Sequence, residues 1–103
     1  MFKIRALLLT FAVLCGNTPA WADLALAQRN NCLNCHTVER KLLGPAFRDV
    51  ANRYRGHKDA ADLLARKIVS GGKGAWGVLA MPANPKISEA DARALATWVL
   101  TLQ

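Results

Sequence analysis

Cys32-Leu33-Asn34-Cys35-His36 places two thiols and an imidazole within five residues, and the rest of the chain is read outward from it. The pattern is C-x-x-C-H, the attachment signature of a c-type haem. Three cysteines and two histidines in 103 residues would give it by chance in about one chain in six hundred, so the spacing is informative. On a helical turn, positions i, i+3 and i+4 share a face, which turns Cys32, Cys35 and His36 to one side. Two thiols can then reach the two vinyl groups of one porphyrin while the imidazole reaches its iron. The competing readings are a disulfide, the ordinary state of paired cysteines in an oxidising compartment, and a redox dithiol of the thioredoxin kind. The dithiol belongs between a strand and a helix, and no strand-rich segment precedes Cys32.

The N-terminus points to export. Lys3 and Arg5 precede an apolar run from Ala6 to Leu14, then Gly16-Asn17-Thr18-Pro19 and the small-x-small site Ala20-Trp21-Ala22. This order predicts a secretory signal peptide over residues 1–22, cleaved between Ala22 and Asp23. A membrane-spanning helix needs roughly 20 apolar residues, about twice this run, so stable membrane insertion is not expected. Cys15 follows Ala12-Val13-Leu14, a poor context for lipid attachment, and is expected to leave with the leader. Residues 23–103 then form one domain with twelve Lys and Arg against seven Asp and Glu, a net charge of +5. So short a chain buries a modest core and usually needs a staple or a large bound group. A basic balance also suits nucleic acid, but export to the periplasm removes that partner.

What occupies the sixth position of a His-ligated haem decides what the haem does. Past the leader the one methionine is Met81, within Trp76-Gly77-Val78-Leu79-Ala80-Met81-Pro82-Ala83-Asn84. This Gly- and Pro-rich loop lies between two helical stretches and can cross the far face of a porphyrin. A lone methionine is often a core filler, but Met81 is not on a helical apolar stripe. His57 is the other soft candidate; in Tyr54-Arg55-Gly56-His57-Lys58-Asp59 it reads as an exposed turn residue. Met81 is the expected second axial ligand.

The remaining pattern is helical throughout. A short helix is predicted from Asp23 to about Asn31, running into the cysteines. Pro45 suits the first turn of a helix over about Ala46–Tyr54. Ala61, Leu64, Ala65 and Ile68 form an i, i+3, i+4, i+7 stripe that stops at Gly71-Gly72. Ser88 and Asp91 resemble a capping pair opening a last helix, in which Leu95, Trp98, Val99 and Leu102 make a second stripe. No segment alternates with period two, so the fold class is all-α.

Together these residues resemble the small bacterial class I cytochromes c, of the c-551/c-552 (c8) group. The anchors are Cys32-x-x-Cys35-His36, Gly44-Pro45-Ala46-Phe47, Gly74-x-Trp76-Gly77, Met81-Pro82-x-Asn84 and Leu95-Ala96-x-Trp98-Val99, which span nearly the whole of residues 23–103. The resemblance implies four or five short helices around one covalently attached haem c, held by thioethers at Cys32 and Cys35. It implies His36 and Met81 as axial ligands and the Pro45 carbonyl as acceptor for His36 Nδ1–H. It implies Trp76 donating to a haem propionate, a donation that a buried indole would need. Asn84 would act near the Met81 sulfur, and Trp98 would pack where the first and last helices cross. Leu42, Phe47, Ile68 and Leu79 are expected to cover the porphyrin.

Three departures stand out. Ala27 and Gln28 replace an aromatic before the first cysteine, which suggests a loosely filled helix crossing. Lys67, beside Arg66, stands where relatives place a propionate-binding Arg, and an ammonium cannot form the bidentate fork. Ala83 replaces a second proline after Met81. The resemblance implies a monomeric, non-enzymatic one-electron carrier of the periplasm, serving respiratory or denitrification redox proteins with acidic docking patches. The alternatives are a haem subunit dedicated to one membrane or reductase complex, or a peroxidase-type or gas-binding protein with an open sixth site.

Overall fold

A computed structural model describes residues 23–102; the expected leader, 1–22, lies outside them. Helix α1, Leu24–Arg29, starts where the Asp23 side chain accepts from the Leu26 N–H at 3.1 Å. That contact satisfies one of the open donors of the first turn. The helix stops at Asn30, whose side-chain amide donates back to the Leu26 carbonyl at 2.9 Å. Asn31 then takes a left-handed conformation, φ 61°, which Asn tolerates better than most residues. It swings the chain into a separate 3-10 turn, Cys32–Asn34, so the helix expected from Asp23 to about Asn31 closes just before the cysteines.

Helix α2, Phe47–Tyr54, has no side-chain cap. Its first N–H groups are taken by the preceding loop: Phe47 donates to Thr37 at 2.9 Å and Arg48 to Val38 at 3.1 Å. The helix therefore begins after Ala46, and Pro45 stands ahead of it rather than in its first turn, with its carbonyl outside the helical ladder. Helix α3, Ala60–Ser70, ends at Gly71. Helix α4, Glu89–Thr101, opens with Ser88 Oγ accepting from the Asp91 N–H at 3.0 Å. Ser88→Ala should destabilise the protein by about 1 kcal/mol, the usual cost of losing a serine cap. Urea unfolding checks this, and an unchanged midpoint would show the cap to be dispensable.

α4 packs along α3 and α2 and crosses α1. Its buried face is Ala92, Leu95, Ala96 and Val99, one turn earlier than the predicted stripe, and Trp98 and Leu102 are half-buried. The apolar set of this helix is wider than one stripe, and packing selected the side with two alanines, where helices can approach closely. Ala27, expected to leave the crossing loosely filled, is 0% exposed. Among the described residues no strand forms; two isolated antiparallel bridges, His36 with Lys41 and Gly72 with Met81, do. No helix there is long and apolar enough to cross a membrane.

Candidate haem-binding site

The cysteine turn is closed by one carbonyl. Cys32 O accepts from the Cys35 N–H at 3.1 Å and from the His36 N–H at 2.9 Å, which gathers both thiols and the imidazole on one turn. No disulfide joins Cys32 and Cys35. Burial, then the neighbouring Cys35, pushes the Cys32 thiol up from its usual range. An attacking redox thiol needs the opposite, a lowered pKa. That direction does not favour a redox dithiol at Cys32.

Beyond His36 the chain doubles back through the bridge to Lys41, and Gly44 N–H donates to the Cys35 carbonyl at 2.7 Å. This return sets Gly44-Pro45 against the imidazole. His36 Nδ1 lies 2.7 Å from the Pro45 carbonyl. A carbonyl can only accept, so Nδ1 carries the proton and Nε2 presents its lone pair. Phe47 stacks on the imidazole at 5.0 Å and 20°, and Trp98 meets Phe47 edge-on at 5.6 Å. Trp98 thus contacts α2, and it packs against the core cluster that includes Leu26 and Ala27 of α1. Gly44 closes the remaining side, since a Cβ there would lie 2.5 Å from His36 Cε1. Along the sequence Gly44 is only part of an anchor of the resemblance, and this close approach leaves no mark there.

Met81 is fixed by its backbone. Gly72 N–H donates to Met81 O at 3.1 Å, and Met81 N–H donates to Gly72 O at 2.8 Å. Asn84 anchors the same loop to the end of α3: its N–H donates to Val69 O at 3.1 Å and its side-chain amide to Ile68 O at 2.9 Å. These are carbonyls that a helix end leaves unsatisfied. The Asn84 side-chain amide thus commits one of its two N–H donors to the end of α3.

His36 and Met81 both line one open cleft of about 270 Å³, with Phe47, Ile68 and Leu79 among its apolar walls. The expected Leu42 is absent from the lining and Leu43 takes its place; both are exposed, at 51% and 60%. Lys67 lines the cleft, whereas Arg66 is exposed outside it. Trp76 lines it too, at 38% exposure. Three lysines, Lys41, Lys67 and Lys73, border the cleft against one carboxylate, Asp49. His57 is an exposed turn residue, its ring edge-on to Tyr54 at 5.6 Å, and does not reach the cleft.

The donor set fits a haem of the c type. Paired thiols share a turn with an imidazole whose Nε2 is free, a thioether lines the same cleft, and the walls are apolar. The Cytochrome c family model matches residues 25–103. Cytochrome c-552 of Nitrosomonas europaea is 52% identical over 84 residues, 82% of either chain. Cytochrome c-552 of Hydrogenobacter thermophilus is 42% identical over 99 residues, 96% of this chain and 98% of the relative. The crystal structure of wild-type Nitrosomonas europaea cytochrome c552 superposes with a TM-score of 0.77 at 52% identity, covering 79% of this chain and 100% of that one. With the site geometry, these similarities lead to one conclusion: the chain belongs to the cytochrome c family, beside the c-551 and c-552 proteins, and carries one covalently attached haem c.

Proposed function

We propose that this protein is a monomeric one-electron carrier of the periplasm, made with a leader over residues 1–22 that is cleaved before Asp23. Cys32 and Cys35 are its thioether attachment points, and His36 and Met81 are its axial ligands. The observation that carries this reading is the shared cleft: an imidazole with its proton held at Nδ1 and a thioether on a pinned backbone line the same apolar space. When bound, the haem supplies a one-electron change at its iron.

Each residue has a physical task in that reading. The Pro45 carbonyl fixes the His36 tautomer and ring plane, as outer hydrogen bonds do for metal-ligating histidines. The Gly72 bridge holds Met81 in place whatever the charge at the iron, so little reorganises as an electron arrives or leaves. With haem bound, Met81 would hold the remaining iron position and keep substrate out, as an electron carrier requires. Phe47, Ile68 and Leu79 exclude water and disfavour the more highly charged oxidised form, as does a thioether ligand. Lys67 and Trp76, at the edge of the cleft, are the side chains in position to meet the propionates. The three lysines there favour redox partners with acidic docking patches, acting mainly on the association rate.

Met81→Ala tests the ligand assignment. The oxidised wild type should show the weak long-wavelength band of iron–thioether ligation, and the variant should lose it while its reduction potential falls. A variant with unchanged spectrum and potential would remove Met81 from the iron.

A further inference from the structure

The cleft is bordered by a loop, residues 73–80, that the Gly72–Met81 bridge closes at its neck. Beyond the neck the loop has little of its own to hold it. Val78 is fully exposed, and Leu79 faces the open cleft at 61% exposure. Among the described residues, one hydrogen bond ties residues 73–80 to the rest of the chain: the Arg53 guanidinium donates to the Ala75 carbonyl. The same guanidinium lies 4.6 Å from the centroid of the Trp76 ring. Arg53 is in the last turn of α2 and is itself exposed. It does not line the cleft, whereas Ala75 and Trp76 do.

We propose that Arg53 is the positioning residue of the Trp76 loop: it fixes from behind the one aromatic ring that this loop presents to the haem. A guanidinium suits both parts of the task. Its central carbon lies over the indole, and its N–H groups can donate in the ring's neighbourhood to a carbonyl. A lysine ammonium could keep the charge and one hydrogen bond but would not stack. The inference rests on the reading of the cleft as the haem site with Trp76 at its edge.

The test uses the reduced, haem-loaded protein and its proton NMR spectrum, because a porphyrin ring current displaces resonances of side chains held beside it. The Trp76 indole N–H of the wild type should be displaced from its position in the denatured chain. In Arg53→Ala the displacement should fall to about half or less, as a ring released from its cation–π contact and its neighbour's hydrogen bond samples several rotamers. Arg53→Lys should fall between the two, and the Met81 methyl resonance should stay fixed in all three. Should Arg53→Ala not assemble, Arg53→Gln takes its place with the same expected order. An undiminished Trp76 displacement in the variant, or a Met81 methyl that moves with it, would overturn the positioning role. A wild type without displacement would instead overturn the placement of Trp76 at the haem, and the inference with it.

Discussion

Gly44→Ala should lower the stability of the haem-loaded protein by about 2–4 kcal/mol, the sum of an overpacked contact and a lost hydrogen bond. The added Cβ would stand 2.5 Å from His36 Cε1 and 2.9 Å from Nδ1. The ring has no free direction in which to retreat. Its Nδ1 is engaged by the Pro45 carbonyl and one face by Phe47, which in turn abuts Trp98. Moving the imidazole breaks the bond to Pro45, and moving Gly44 breaks its own bond to Cys35. Denaturant unfolding of the purified holoprotein measures the loss, and the yield of haem-attached protein should fall in parallel. A variant within about 0.5 kcal/mol of wild type, the ordinary range for an innocuous surface change, would mean that the imidazole is not clamped.

Gly71→Ala should act as strongly on the methionine side, with a loss of about 3 kcal/mol from backbone strain and overpacking combined. Gly71 ends α3 at φ 74° and ψ −177°, a region open essentially to glycine alone. Its Cβ would meet Met81 O at 2.6 Å, Ala83 N at 2.9 Å and Pro82 C at 3.0 Å, all backbone atoms that cannot rotate aside. Relief requires the Met81 segment to leave the Gly72 bridge, so the band of thioether ligation should weaken along with stability. Gly72→Ala is the internal control. A Cβ there would find only Lys67 atoms, at 3.8 and 3.9 Å, so its effect should stay below about 1 kcal/mol. Equal effects at the two positions would refute the account, because neighbouring glycines would then differ in nothing but number.

Much of this protein was legible along the chain because the relevant signals are local. Cys32, Cys35 and His36 specify an attached haem within five residues. The Ala61–Ile68 stripe and the Ser88 cap mark α3 and α4, since helical periodicity and capping are written in neighbours three and four apart. Met81 stood out by its composition alone, as the one thioether in a Gly- and Pro-rich loop.

Other features depended on where distant segments return, and these leave no periodic mark. The choice of Leu43 over Leu42 follows from how the 37–44 loop turns. Asn84 serves the end of α3 because the chain comes back past Ile68, sixteen residues earlier. Arg53 holds a loop twenty-two residues away. By itself the sequence determined that a haem-attachment signature stands at Cys32–His36, because that signature needs only residue type and spacing. Tertiary structure alone decided how the two expected ligands are held, because Gly44 against the imidazole and Gly71 against the Met81 backbone matter only once the folded chain brings those atoms within 3 Å.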